Sequence, residues 1–227
     1  MKVDDYTSEE RDTMLFLRQH TNIPIPQPRF LTSKEFVMDH VEGTVLGDCW
    51  GKLSWFTQFR VACTLRLYIR QLRGLTRDAP GPIAGPVRGP MFDLKELTNT
   101  FENWVMFRSW VEVAAARGWR QKTQTSKQRY GPFPLYISPE ISFTPLVFTH
   151  GDLHPGNLIL SSTGKLSVID WGESGYYPPW FQWVSMNYHC TGARPQPKTW
   201  RRWIGFITGA NFTTEARYWG CFIYGLF

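Results

Sequence analysis

His150-Gly151-Asp152-Leu153-His154-Pro155-Gly156-Asn157, followed by Ser167-Val168-Ile169-Asp170-Trp171-Gly172, carries most of the structural information in this chain. Gly151, Pro155 and Gly156 keep the first segment out of a helix, so Asp152 and Asn157 lie in a shaped loop. A short apolar run, Leu146-Val147-Phe148, leads into that loop as a strand. Leu158-Ile159-Leu160 and Leu166–Ile169 read as a hairpin around the turn Ser161-Ser162-Thr163-Gly164. Such a hairpin returns Asp170 beside Asn157, so one cation could be shared between them.

The loop has the H-x-D-x-x-x-x-N spacing of a phosphoryl-transfer catalytic loop, in which the Asp orients and deprotonates an acceptor hydroxyl. An Asn amide oxygen is a hard ligand suited to Mg²⁺. Asp170, at the end of an apolar strand, takes the place of the metal-holding Asp of D-F-G, with Trp171 where that motif has Phe. Asp at a strand end is commonly only a turn former, and the weight rests on the ordered combination. His150 and His154 are four apart, but a zinc pair at that spacing needs a helix, which glycine and proline forbid here. His150 is expected to brace the loop, and His154 either to line an acceptor pocket or to hold a turn.

Upstream, Thr7-Ser8-Glu9-Glu10 fits a capping box at the start of a first helix, which Thr21-Asn22-Ile23-Pro24-Ile25-Pro26 stops. Glu35–Val41 reads as a strand with Glu42-Gly43 as its turn. Ser54 is placed to cap a long helix with Phe59, Ala62, Leu65, Ile69 and Leu72 on one face. Gly74–Pro90 is too rich in Pro and Gly for regular structure. A second long helix is expected with Leu94, Leu97, Phe101, Trp104, Arg108 and Val111 at helical spacing, and Arg117–Arg129 as a solvated loop. The C-terminal third is aromatic and mostly helical. Long helices with a few short strands suggest an α+β domain.

The formal charge of +6 comes from 25 Lys+Arg against 19 Asp+Glu and is scattered, which argues against a nucleic-acid partner. Cys49, Cys63, Cys190 and Cys221 form no CxxC pair. Met1 is followed by Asp4, Asp5 and Glu9 with no secretory pattern, and the apolar end Tyr218–Phe227 is about half the length needed to span a bilayer. A cytoplasmic protein with no membrane partner is the expectation.

These residues resemble the aminoglycoside phosphotransferase and choline kinase-like family, through FTHGDLHPGNLIL and VIDWGESGYYP. HTNIPIPQP is similar to the link after the family's N-lobe helix, especially in fungal-type members, and FVMDHVEGTVLGDCW to its hinge. The resemblance runs from about Met1 to about Val184 and is specific near 148–179. It implies a protein-kinase-like α+β fold, mainly the helical C-terminal lobe with an incomplete N-terminal lobe. Residues 1–40 would be a remnant of the N-terminal lobe and hinge, and 41–227 the catalytic lobe.

Carried over by position, the resemblance implies Asp152 as catalytic base and Asn157 and Asp170 as Mg²⁺ ligands. Asp39 and Val41 would offer backbone groups to the base of ATP, and Lys2 with Glu10 would serve its phosphates, although Glu10 also fits the capping box. Gln182 stands where family members often carry Glu, and no glycine-rich phosphate loop precedes Lys2. The implied activity is transfer of the ATP γ-phosphate to a small-molecule hydroxyl. A non-catalytic, truncated kinase-like binding module is the alternative. Trp104, Trp110, Trp119, Tyr130 and Phe133 are candidates for an acceptor groove, although residues of this kind more often belong to the core.

Overall fold

The computed structural model describes residues 5–31, 36–87, 90–92, 100–130, 138–189 and 196–226. The first helix, α1 (Asp5–His20), buries Met14 and Leu17 and ends before the Thr21–Pro26 segment. Thr7 lies inside it rather than at its start, so the capping-box expectation fails; Glu10 is used elsewhere. The chain then forms β1 (Pro28–Leu31), which the sequence reading did not anticipate, and β2 (Phe36–Met38), paired antiparallel. Proline at its first position removes a donor from β1 without breaking a ladder bond it would have to make inside a sheet.

A short strand, β3 (Thr44–Val45), runs into α2 (Leu46–Cys49). Gly43, with φ +145°, makes the approach to the later hairpin possible: a side chain there would meet the Leu160 carbonyl oxygen at 2.6 Å. Ser54 caps α3 (Trp55–Arg73) as expected, accepting a hydrogen bond from the Thr57 N–H at 3.2 Å. Ala62, Leu65, Ile69 and Leu72 are buried along its inner face, while Phe59 is half-buried.

The next helix, α4, spans Trp104–Tyr130. Phe101 precedes it, because Asn103 accepts from the N–H groups of Val105 and Met106, both at 3.1 Å, and so marks the helix start. Leu94 and Leu97 lie outside the described residues. Arg117–Arg129 is helical, not a loop: Arg, Lys and Gln are good helix formers, and charge alone does not break a helix.

The remaining elements are β4 (Val147–Thr149), β5 (Leu158–Leu160), β6 (Leu166–Val168), β7 (Gly175–Tyr177), α5 (Phe181–His189), α6 (Lys198–Thr208) and α7 (Thr213–Gly225). The expected hairpin forms, with Leu158 opposite Val168 and Leu160 opposite Leu166, and β3 adds to its outer edge. β4 pairs with β7. Helices plus small antiparallel sheets make an α+β fold.

The apolar core centres on Phe92, whose ring meets Phe107, Trp110, Tyr177, Phe181, Trp219 and Phe222 within 6.4 Å between centroids. Trp110, a groove candidate, is part of this packing. Trp104 borders a cavity with Arg77 and Asp78, Trp119 is half-buried, and Phe133 lies outside the described residues, as does the Tyr130 side chain.

The 74–87 excursion is gathered around the Arg77 side chain. Arg77 donates to the carbonyls of Ala79, Gly81, Pro82 and Ile83 and stacks over the Tyr176 ring. Gly81 in turn exchanges backbone hydrogen bonds with Tyr176, which fixes the loop to β7.

Candidate active site

Buried strand β4 delivers the chain to His150, whose ring is a central brace. Its backbone N–H donates to Gln182 Oε1 on α5 at 3.0 Å. Its Nε2 lies 3.1 Å from the Ile169 carbonyl oxygen, and its Nδ1 accepts the Asp152 N–H at 3.3 Å. Both ring contacts are satisfied by one neutral tautomer, with the proton on Nε2. His150 therefore ties the backbone of Asp152 to the residue preceding Asp170, and packs against Trp171 with centroids 4.5 Å apart. Gly151, with φ +82°, is required here because a side chain would overlap the Glu173 carbonyl.

Beyond it the chain tightens into a 3₁₀ turn over Pro155–Asn157, with His154 as its cap: His154 Nδ1 accepts the Gly156 N–H at 2.9 Å. That contact leaves the proton on Nε2, which faces Asp152 Oδ1 at 3.6 Å. His154 thus holds a turn and lies against the Asp152 carboxylate at once. Asn157 donates from Nδ2 to the Asp152 carbonyl at 2.9 Å and to Asp152 Oδ2 at 3.1 Å. The amide nitrogen is taken up by Asp152, and the amide oxygen is the end suited to a hard cation.

The hairpin returns Ile169 to Asn157, whose carbonyl accepts the Ile169 N–H at 3.1 Å. Asp170 follows in the left-handed region at φ +63°, a conformation that Asp tolerates better than most residues and that is often found at functional sites. Next to it, the Trp171 N–H donates to Glu10 Oε1 at 3.1 Å, so α1 docks onto this segment. Asp152, Asn157, Asp170 and Glu10 are thus brought together from three parts of the chain. Lys2 lies outside the described residues.

Electrostatically the cluster is crowded with like charge. Burial, then the charge of Asp152, pushes the Asp170 carboxyl above the ordinary range, partly offset by His154. Burial, then Asp170, does the same to Glu10. A divalent cation relieves such crowding, and Asn157 with Asp170 offers the oxygen donors that Mg²⁺ accepts while keeping several waters. Among the described residues, no three His, Cys, Asp or Glu side chains converge as a metal cage.

A carboxyl whose pKa is raised on folding binds its proton more readily in the folded state. Its contribution to stability is present at low pH and is lost as pH rises through the raised value. In a chelator-containing buffer, lowering the pH from about 7 to about 5 is expected to stabilise wild type more than Asp170→Asn, which keeps the left-handed backbone but cannot ionise. Thermal melts of both proteins at the two pH values test this; equal shifts would show that Asp170 carries no such strain.

Asp39 and Val41 stand apart from the cluster. With Arg18, Gln27, Glu42, Lys165 and Ser167 they line a cavity of about 970 Å³ whose walls include none of Asp152, Asn157 and Asp170. Asp39 pairs with Arg29 through both carboxylate oxygens, and its N–H donates to the Gln27 carbonyl at 2.9 Å.

Two features of the site escaped sequence reasoning. The role of Gln182 as acceptor for His150 was signalled only by a lone amide in the apolar run Trp180–Val184. The Arg77 clamp had no local signal, since its partners are backbone carbonyls.

Among solved structures, the chain is similar to the gentamicin complex of the aminoglycoside phosphotransferase APH(2")-IIa, with 12% identity, 95% of this chain and 70% of that one covered, and a TM-score of 0.54. ADP-bound APH(2'')-Ib gives 13% identity over 93% of this chain and 69% of that one, with a TM-score of 0.55. Choline kinase LicA from Streptococcus pneumoniae gives 11% over 99% and 75%, with a TM-score of 0.50. At such identities the likeness speaks to the fold, which is kinase-like. No curated protein matches. The profile of the phosphotransferase enzyme family, APH, matches residues 4–204, and the chain belongs to that family.

Proposed function

We propose that this chain is an ATP- and Mg²⁺-dependent small-molecule kinase that moves the γ-phosphate of ATP onto an alcohol oxygen. The observation that carries this reading is the joint fixation of Asp152 and Asn157 by two hydrogen bonds beside Asp170. Asp152 orients the acceptor hydroxyl and takes its proton as the oxygen bonds to the γ-phosphorus and ADP departs. Asn157 and Asp170 hold the Mg²⁺, which neutralises phosphate charge when bound. Glu10 on α1, whose Oε1 accepts the Trp171 N–H, would serve the phosphates together with Lys2, as the family resemblance implies.

Residues 1–40 contribute the helix and the hinge side of the nucleotide site, and 41–227 the catalytic lobe. At the hinge, the Asp39 N–H is already used by Gln27, so Asp39 offers its carbonyl and Val41 its N–H to the base. The ADP held by one structural relative and the gentamicin held by another support a nucleotide and a hydroxyl-bearing small molecule as the two ligand classes.

Calorimetric titration of ATP with and without Mg²⁺, on wild type and Asp170→Ala, tests the assignment. Binding that requires Mg²⁺ and disappears in the variant is expected. Absence of binding by folded wild type would favour a non-catalytic kinase-like binding module, and binding that survives in Asp170→Ala would remove that residue from the metal site.

A further inference from the structure

Helices α3 and α6 lie against each other and share an outward face that the catalytic reading leaves unused. Trp55 and Phe56, at the start of α3, are each 68% exposed. The Trp55 ring stacks on Phe59 at 5.4 Å, and Trp203 of α6 lies 6.1 Å from Trp55 and 5.9 Å from Phe59. Phe206 continues the row, 5.9 Å from Phe59, and Leu67 is exposed further along α3. Trp55, Phe56 and Phe206 stay exposed at the surface while Trp203 is half-buried against the core, and contiguous exposed apolar area of this kind marks an interaction surface.

The charges on the two helices that carry the row have one sign. Neither α3 nor α6 contains an Asp or Glu. Arg60, Arg70, Lys198, Arg201 and Arg202 are exposed, and Arg66 lies over the Phe206 ring with its guanidinium carbon 5.0 Å from the centroid. On α6, Lys198, Arg202 and Phe206 recur at steps of four and so share one stripe, while Trp200, Ile204 and Ile207 are buried on the other side.

We propose that this face is a docking surface for an anionic lipid bilayer. Charge complementarity and the aromatic row together select that occupant. A protein partner would meet a positive face with a local acidic patch; two helices that carry only positive charge, with their rings between them, engage a laterally uniform negative plane along their whole length. Trp and Phe rings settle at the headgroup boundary, and each Lys or Arg near it adds attraction to acidic lipids. No described helix is long and apolar enough to cross a membrane, and lying on the surface makes no such demand.

Sucrose-loaded vesicles of phosphatidylcholine alone, and of phosphatidylcholine with phosphatidylserine at about 7:3, are sedimented with full-length protein at low and high salt. The expected result is binding to the acidic vesicles only, weakened by salt. Trp55→Ser with Phe56→Ser, and separately Arg201→Gln with Arg202→Gln, should each weaken binding by about tenfold or more. Both pairs are exposed, and unchanged circular dichroism and melting would verify folding. Failure of folded wild type to sediment with acidic vesicles, or equal binding by the variants, would overturn the proposal. Self-association abolished by Trp55→Ser in sedimentation velocity, without vesicle binding, would give the face to a second copy of the chain and equally overturn it.

Discussion

Asp152→Asn is expected to reduce phosphate transfer by about 10²–10⁴-fold, the range associated with loss of a general base, while ATP–Mg²⁺ binding stays close to wild type. The substitution preserves shape, and the new amide oxygen can still accept the Asn157 Nδ2 hydrogen bond that the carboxylate accepts at 3.1 Å. What is lost is proton affinity at that position and the negative charge that helps push the Asp170 carboxyl up. Steady-state kcat and KM for ATP, with an acceptor found by screening wild type, separate the two effects, since a group acting in the transition state moves kcat and leaves nucleotide KM nearly unchanged. Turnover within a few-fold of wild type would remove Asp152 from the proton-transfer role.

The largest effect on stability is expected at the crossing of α4 and α7. Gly118 on α4 and Gly225 on α7 let the two backbones approach so closely that a methyl group on Gly118 would overlap the Cys221 carbonyl, and one on Gly225 the Ala114 carbonyl. Backbone cannot rotate out of the way as a side chain can, so Gly118→Ala forces the helices apart across the packing around Trp219 and Phe222. Overpacking commonly costs about 1–3 kcal/mol and more where the backbone must move, against about 1 kcal/mol gained from helix propensity. A net loss of about 2 kcal/mol, the upper end of that difference because backbone must move, should lower Tm by roughly 4–8 °C in a chain of this size. Gly220→Ala is the control: its added methyl would meet only Lys122 Nζ, at 3.7 Å, and should be neutral or stabilising. Equal melting of the two variants would show that the crossing is looser than described.

Much of the His150–Asn157 loop was legible because its determinants are local. Gly151 and Pro155 shape it, two short apolar runs around the Ser161–Gly164 turn mark the β5–β6 hairpin, and Ser54 announces α3. Elements defined by distant partners were hidden. The Glu10 contact to the Trp171 N–H joins residues far apart in sequence, and a local capping pattern at Thr7 competed with it and lost. The first strand, Pro28–Leu31, exists because Phe36–Met38 pairs with it. In the Arg117–Arg129 segment, charge was weighed above helix propensity, and propensity prevailed. The start of α4 moved to Trp104 because the Asn103 cap outranks the apolar spacing that extends upstream.

The two residues assigned to the cation are joined by an antiparallel pair whose rungs run from Leu158–Val168 to Leu160–Leu166. Their separation in space is therefore a property of the first rung, and their separation in sequence a property of the Ser161–Gly164 tip. Lengthening the tip would leave the ligands where they are, while a single residue inserted into either strand would turn every following side chain to the opposite face. Evolution and protein engineering thus have unequal freedom here: loops grafted at the tip are tolerated, and single insertions in the arms are not. A search for relatives that demands a constant interval between Asn and Asp would discard proteins with the same centre and a longer tip.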